Sequence, residues 1–260
     1  NGKSVNIDVM IPSPTVARAV ELIRQAKYMV ALTGAGVSTR SGIPDFRSPD
    51  SGIWGQADPM EVASIYAFRH NPTAFFNWIR PLAKTILKAH PNAAHLALAD
   101  LENNGRLKAI ITQNIDLLHT RAGNHTVFEV HGSLSRATCQ GCQAQVDGMP
   151  LLQKLTTSEE IPHCAGCGHI LKPNVILFGE LLPALTMHLA QQAAKHCDLM
   201  LVAGSSLEVA PAGDLPLLAK QSGARLIIVN FEPTHMDREA DLVFRDDVAE
   251  LLPQLAKPFK

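Results

Sequence analysis

Apolar and polar positions divide the chain into two kinds of segment that alternate. Short apolar runs that end in turn-forming residues predict buried β-strands, at 28–33, 107–112, 127–130, 199–203, 225–229 and 242–244. Apolar residues three or four positions apart predict helices between these runs, at 14–27, 72–86, 91–104, 184–196, 211–221 and 247–255. Strands that alternate with helices favour an α/β fold with a doubly wound parallel sheet.

Two segments, 48–90 and 133–174, interrupt this alternation. Both are expected to be insertions that form a smaller second lobe: a helical insertion at 48–90 and a cysteine-bearing module at 133–174. The ranges 13–47, 91–132 and 175–260 then form a discontinuous large domain, and the cleft between the lobes is the expected ligand site. One helix face in the insertion is apolar and could pack in a core or line a groove. Its side chains are Phe75, Phe76, Ile79, Leu82, Ala83 and Ile86.

A glycine turn follows the first predicted strand. Gly34 and Gly36 lack a Cβ, so the backbone there can approach a ligand closely. Ser38, Thr39 and Ser41 are expected to lead into a helix whose free N–H groups suit a phosphate. The pattern suggests a dinucleotide, but Thr39 replaces the third glycine of the usual fingerprint and no ribose-binding acid follows about twenty residues on. A plain glycine turn therefore stays open as an alternative.

Polar residues follow two other predicted strands. The run Gln113-Asn114-Ile115-Asp116 comes after the strand at 107–112, and His131-Gly132 comes after the strand at 127–130. Ligands of doubly wound sheets bind at the carboxyl ends of the strands, so these residues are expected near Gly34. A histidine in this position could be structural or catalytic.

Four cysteines form two C-x-x-C pairs, Cys139 with Cys142 and Cys164 with Cys167. Thiolates on such turns converge tetrahedrally on Zn²⁺, and four of them close the site, which makes the metal structural. A redox dithiol is the alternative, and the doubled spacing disfavours it. Cys197 stands alone and is expected to be a buried apolar residue.

Charge and hydropathy exclude several classes of protein. The net charge is −1 and the isoelectric point is about 6.9, so no basic footprint for nucleic acid is present. No apolar run reaches the length of about eighteen residues needed to cross a membrane, and no charged-then-apolar leader precedes residue 13. We expect a soluble cytoplasmic protein without a nucleic-acid or membrane partner.

Taken together, the motifs resemble the sirtuin family of NAD-dependent protein deacylases, most closely its bacterial and archaeal single-domain members. They are, in order, GAGVSTRSGIPDFR at 34–47, TQNID at 112–116, HG at 131–132, the two cysteine pairs, FGE at 178–180, GSS at 204–206 and the pair Asn230 and Glu232. The resemblance implies a Rossmann-like large domain, a small zinc-binding domain, and an acylated lysine of a protein substrate bound between them.

The same resemblance implies a role for each motif. The NAD pyrophosphate would be held by Ala35, Gly36, Thr39 and Arg47, and the cofactor would also be bound by Gly34 and Asp45. Phe46 would cover the ribose after nicotinamide leaves. The nicotinamide and its ribose would be surrounded by Gln113, Asn114, Ile115 and Asp116. The adenosine ribose would be held by Ser205, Ser206, Asn230 and Glu232, with Asp247 near the adenine, and Gly204 would also bind the cofactor. The substrate cleft would include Val175, Phe178, Gly179 and Val209.

The implied reaction is deacylation of lysine by transfer of the acyl group to ADP-ribose. The acyl oxygen would displace nicotinamide from the ribose, and His131 would act as general base on a ribose hydroxyl, with Asn114 also catalytic. The products would be free lysine, nicotinamide and O-acyl-ADP-ribose. A mono-ADP-ribosyltransferase is the alternative, and a non-catalytic binding module is a third possibility that His131 and Asn114 argue against.

One departure within the family predicts acyl specificity. Sirtuins that favour succinyl-lysine carry Tyr-x-x-Arg on the helix after the Asn-Pro pair, and these positions fall on Ile79 and Leu82 here. An acidic acyl tail would lack a charged partner between apolar walls. We therefore expect neutral acyl groups such as acetyl or propionyl to be preferred over succinyl.

Overall fold

The computed structural model describes residues 13–45 and 58–260. Six parallel strands form the main sheet in the order β3-β2-β1-β7-β8-β9. Their bounds are Met29–Thr33 (β1), Leu107–Thr112 (β2), Val127–Glu129 (β3), Leu199–Ala203 (β7), Arg225–Val229 (β8) and Leu242–Phe244 (β9). The order reverses between β1 and β7, as in a doubly wound Rossmann-like sheet. The predicted fold class is confirmed.

Helices cover both faces of this sheet because its strands are apolar on both sides. On one face pack Pro14–Gln25 (α1), Ala93–Asn103 (α5) and Val248–Ala256 (α10), which share a core with β1, β2, β7 and β8. On the other face pack Ala184–His196 (α8) and Leu215–Gln221 (α9). The short helix Leu118–Ala122 (α6) follows β2 directly.

A second, antiparallel sheet has the strand order β5-β4-β6. Its strands are Gly132–Cys139 (β4), Gln145–Asp147 (β5) and Leu171–Val175 (β6). The described residues of this lobe also form the helices Pro59–Val62 (α2), Ile65–His70 (α3), Pro72–Lys88 (α4) and Gly148–Thr157 (α7). All six residues of the predicted apolar face of α4 are buried in one cluster with side chains of α7 and β4, so this face is core.

The glycine turn after β1 differs from its prediction. No α-helix begins there within residues 13–45; instead, two single 3-10 turns span Ala35–Val37 and Thr39–Ser41. Gly42 ends the second turn in the left-handed region at φ 83°, and Pro44 disfavours helical backbone at the residue before it. Among the described residues, no helix is long and apolar enough to cross a membrane.

Candidate active site at the carboxyl edge of the sheet

The turns after β1 and β7 meet at the point where the strand order reverses. Gly34 N–H donates to Ala203 O at 3.2 Å, and Gly36 N–H donates to Gly204 O at 2.9 Å. A Cβ on Gly36 would lie 2.9 Å from Gly204 Cα, and Gly204 itself has φ +60°. Only glycines let these two backbones pack so closely, and the crevice beside them is where doubly wound folds bind their ligands.

Asn114 follows β2 at the same edge of the sheet and is 6% exposed. Its amide Nδ2 donates to Gly34 O at 3.0 Å and to Ser38 Oγ at 3.2 Å, so the side chain is fixed to the glycine turn. Ser38 in turn donates to Asp116 Oδ2 at 2.6 Å. Burial raises the pKa of Asp116, and the Ser38 hydroxyl and the Leu118 N–H oppose this shift. Two of the predicted residues after β2, Asn114 and Asp116, are thus joined through Ser38 in one hydrogen-bonded network.

A buried layer beneath Asn114 was not predicted from the sequence. Thr33 Oγ1 donates to Thr112 Oγ1 at 2.9 Å, and Thr112 Oγ1 also accepts from Asn114 N–H at 3.1 Å. Because the Thr33 proton is committed, Nε2 of His119 donates to Thr33 Oγ1, 2.9 Å away. The signal in the sequence was faint: one threonine at the end of each of two apolar runs.

His95 completes this layer. Its Nδ1 accepts from Asn92 N–H at 3.3 Å at the start of α5, so the proton is on Nε2, which lies 3.4 Å from Ser38 Oγ. The rings of His95 and His119 have centroids 4.9 Å apart. Burial lowers the pKa of His95 to about 4 and that of His119 to about 3. Both imidazoles are therefore neutral beneath the site at pH 7.

His131 stands at the same edge of the sheet, between β3 and β4. Its Nδ1 lies 3.1 Å from the carbonyl oxygen of Gln113, and since a carbonyl only accepts, Nδ1 carries the proton. The lone pair is then on Nε2, which has no hydrogen-bond partner among the described residues. Burial lowers the pKa of His131, and the bond to Gln113 opposes that shift. The side chain is a neutral imidazole able to take a proton.

The predicted adenosine residues lie at the ends of β7, β8 and β9. Ser205 Oγ accepts from Gln113 Nε2 at 3.1 Å, which joins the second predicted group to the third. Asn230 Nδ2 donates to Glu232 O at 2.8 Å, and Glu232 is exposed. Ser206 is half-buried beside Ser205.

Asp247 has contacts of its own at the end of this row. Its carboxylate accepts from Ala249 N–H at 2.8 Å as the N-cap of α10, and from Arg40 Nε at 2.6 Å. Both bonds are structural, so any contact with an adenine would be additional to them.

The other cofactor residues predicted in the first motif are only partly described. Ala35 and Asp45 are half-buried, and Thr39 is exposed with its hydroxyl 3.1 Å from Gly36 O. Phe46 and Arg47 lie outside the described residues.

Of the predicted substrate residues, Phe178 lies against the start of α3 in the second lobe. Phe178 N–H donates to Ala63 O at 2.9 Å and its carbonyl accepts from Ile65 N–H at 3.0 Å. Phe178 is 45% exposed, Gly179 has φ +86°, and Val209 is half-buried on a separate segment. Val175 is buried at the end of β6. Phe178 and Val209 thus leave accessible surface on two different segments.

The four predicted metal ligands converge. The Sγ atoms of Cys139, Cys142, Cys164 and Cys167 all lie within 4.8 Å of one another. Sγ of Cys139 is 3.3 Å from that of Cys167, and Sγ of Cys142 is 3.8 Å from that of Cys164. A Zn²⁺ with bonds of about 2.3 Å to four tetrahedral sulfurs requires the sulfurs to be about 3.8 Å from one another, so the cluster fits zinc. Cys197 is buried, as predicted.

The chain is similar to known proteins in sequence and in fold. A sequence model of the Sir2 family matches residues 34–211. NAD-dependent protein deacylase 2 of Archaeoglobus fulgidus is 46% identical over 94% of this chain and 96% of its own length. A solved Sir2 complex with p53 peptide and NAD⁺ is 38% identical with a TM-score of 0.84, covering 93% of this chain and 97% of that one. A Sir2Tm structure bound to a propionylated peptide is 37% identical, also with a TM-score of 0.84, covering 94% and 98%. The chain belongs to the Sir2 family.

Proposed function

We propose that this protein is an NAD-dependent protein-lysine deacylase. It would remove an acyl group from lysine and release free lysine, nicotinamide and O-acyl-ADP-ribose, which is O-acetyl-ADP-ribose for an acetylated substrate. Family membership supports the reaction class, since the Archaeoglobus relative is named for this activity. Related structures with NAD⁺ and with an acylated peptide support the same two partners.

The observation that carries the proposal is the state of His131. Its Nδ1–H donates to Gln113 O, so the unprotonated Nε2 faces no partner within the described residues. Its pKa is lowered by burial, which keeps the imidazole neutral at pH 7. A neutral imidazole held in one tautomer can act as a general base on a substrate hydroxyl.

Bound NAD would supply an electrophilic ribose carbon with nicotinamide as leaving group. Around it, the turn at Ala35 and Gly36, with Thr39 and the predicted Arg47, would hold the pyrophosphate. The Gly36 N–H is already bonded to Gly204 O, so Gly36 would contribute close backbone approach and not a donor. Asn114, anchored to Gly34 O and Ser38 Oγ, would orient the nicotinamide ribose. His131 would then accept a proton from a ribose hydroxyl that attacks the acyl carbon.

The remaining predicted groups extend this arrangement to both ends of the dinucleotide. Gln113, Ile115 and Asp116 would surround the nicotinamide half. The adenosine half would be held by Gly204, Ser205, Ser206, Asn230, Glu232 and Asp247, and Phe46 would exclude water after nicotinamide departs. The proposed domain bounds remain 13–47, 91–132 and 175–260 for the NAD-binding domain, with 48–90 and 133–174 forming the small domain.

Acyl preference is the finer part of the proposal. Ile79 and Leu82, at the two positions where succinyl-selective members carry Tyr and Arg, are 1% and 7% exposed and pack in an apolar cluster, so neither side chain can pair with an acidic acyl tail. Arg80, the nearest cation in sequence, is committed elsewhere: Nε donates to Leu155 O at 3.0 Å and Nη2 to Glu159 O at 2.9 Å. We therefore propose that neutral acyl groups are preferred over succinyl.

A panel of one peptide carrying acetyl-, propionyl- or succinyl-lysine, assayed with and without NAD, tests the proposal. Turnover of the neutral peptides only when NAD is present is the expected result, with succinyl-lysine at least about tenfold less efficient, as for an unpaired charge in an apolar site. Comparable efficiency on acetyl and succinyl peptides would contradict the preference alone. ADP-ribose found covalently on protein would instead favour the transferase alternative.

A further inference from the structure

Lys172 in β6 is a buried cation that the proposed chemistry does not use. Its side chain is 8% exposed, and its Nζ lies 2.9 Å from Glu180 Oε2. Nζ also donates to two main-chain carbonyls, Val175 O at 2.8 Å and Pro173 O at 3.3 Å. One ammonium thus binds the end of β6 and the carboxylate five residues beyond it at the same time.

Glu180 closes the other half of this arrangement. The same Oε2 accepts from Leu177 N–H at 2.8 Å, and the Glu180 N–H donates to Leu177 O at 3.0 Å. The residues between them therefore form a tight turn, in which Gly179 adopts φ +86° and Phe178 remains 45% exposed. Lys172 and Glu180 together fix segment 175–180.

This segment is hydrogen-bonded both to His131 and to the residues around the start of α3. Ile176 N–H donates to the carbonyl oxygen of His131 at 2.9 Å, and Phe178 is hydrogen-bonded on both its N–H and its carbonyl to Ala63 and Ile65. A shift of the segment would therefore move the main chain at the proposed base. It would also move the surface that Phe178 presents to a peptide.

A buried ion pair is an unusual way to add stability. The desolvation of two charges offsets much of their attraction, and an apolar pair of similar volume often serves as well. Here the pair fixes the conformation of the chain, because the Lys172 ammonium bonds to the Glu180 carboxylate and to the carbonyl oxygens of Pro173 and Val175. That arrangement favours a positional role over a purely stabilising one.

We propose that Lys172 and Glu180 are positioning residues that hold segment 175–180 in the conformation needed to bind the acyl-lysine peptide. This inference rests on the proposed deacylase function. Neither residue is assigned a step in the reaction, so both act through Phe178 and Gly179 and through the main chain at His131. The pair should accordingly affect the peptide more than NAD.

Steady-state kinetics of Lys172→Met, Glu180→Gln, the double variant and Lys172→Arg test the proposal. Both single variants should raise KM for an acetyl-lysine peptide by about tenfold or more, the scale of one charged hydrogen bond, while KM for NAD changes less than about twofold. Lys172→Arg keeps the charge and the donors and should recover most of the peptide affinity. Lys154→Met is the matched control, because Lys154 and Glu160 form an exposed ion pair at 3.1 Å in the same lobe.

The double variant distinguishes an effect on the conformation of segment 175–180 from an effect on the stability of the whole protein. It removes both charges but leaves an amide oxygen for Leu177 N–H, so its melting temperature should recover relative to Lys172→Met while the peptide KM stays high. If peptide KM returns to the wild-type value together with stability, or if peptide and NAD KM change equally, the pair is only structural. Wild-type protein without NAD-dependent activity on the peptide would overturn the proposed function and this inference with it.

Discussion

The two neutral histidines beneath the site predict a specific sensitivity to acid. His95 and His119 are fully or almost fully buried, with pKa values lowered by burial to about 4 and about 3. Nδ1 of His95 already accepts a main-chain N–H, and Nδ1 of His119 is buried without a partner among the described residues. Neither ring can take a second proton in the folded state without losing a bond or burying a charge.

The sign and size of the effect follow from linkage. In the unfolded chain each histidine titrates near 6.5, so below that pH the unfolded state binds more protons than the folded state. Stability therefore falls as pH falls from 6.5 toward the folded pKa of each ring. At pH 5.5 each histidine should lower the free energy of unfolding by about 1.4 kcal/mol relative to pH 7.5.

Some other groups make the protein more stable as pH falls, so the pH dependence of the wild type alone does not isolate the histidines. The measurement therefore compares variants. Burial raises the pKa values of Asp116 and Glu129, which adds stability as pH falls through them. Urea unfolding gives the free energy of unfolding of each protein at pH 7.5 and at pH 5.5. The decrease between these two pH values should be smaller in His119→Gln than in the wild type by about 1.4 kcal/mol. His125→Gln, at an exposed position, should show the wild-type loss. Equal losses in His119→Gln and the wild type would refute the assignment of a buried neutral imidazole.

Four further results are expected. His131→Ala should lower deacylation by roughly 10²-fold while NAD binding, measured by calorimetry, persists; near-normal turnover would exclude His131 as the base. The kcat/KM of the wild type should decline as pH falls through a pKa below 6.5, because the base must be unprotonated and its pKa is lowered by burial; a midpoint above 6.5 would contradict this. Asn114→Ala should lose most activity but retain partial NAD binding, whereas full activity would show that its anchored amide is dispensable. Removal of zinc from the cluster at Cys139 should unfold the small lobe, seen by circular dichroism and a metal assay; folded, active protein without zinc would disprove the metal site.

Local patterns predicted most of the secondary structure because each element has its own signal. The runs at Leu199–Ala203 and Arg225–Val229 are strands with the predicted bounds, since short apolar runs between polar turns have few other buried conformations. The helix Ala184–His196 also has its predicted bounds. The glycine turn differs in type from its prediction, because Gly42 ends the second 3-10 turn and Pro44 disfavours helical backbone before it. The helix predicted at 211–221 begins later, at Leu215.

Only the site residues that belong to recognisable sequence motifs could be predicted from the sequence. The strand ends predicted that Asn114 and His131 would lie at one edge of the sheet, because the carboxyl ends of parallel strands share an edge. In the structure Asn114 bonds to Gly34 O and His131 bonds to Gln113 O. The layer formed by Thr33, Thr112 and His119 was missed, since its members are far apart in sequence and each is an ordinary residue for a strand or helix. The roles of the individual site residues in NAD and substrate binding remain predictions.

Product analysis of a single reaction tests the central claim most directly. Purified protein, an acetyl-lysine peptide and NAD would be incubated together and all products identified by mass, with His131→Ala as the matched control. A deacylase of the proposed mechanism should give deacetylated peptide, nicotinamide and O-acetyl-ADP-ribose in equal amounts, with little of any product from the variant. Free acetate formed without NAD, or ADP-ribose attached to peptide or protein, would contradict it.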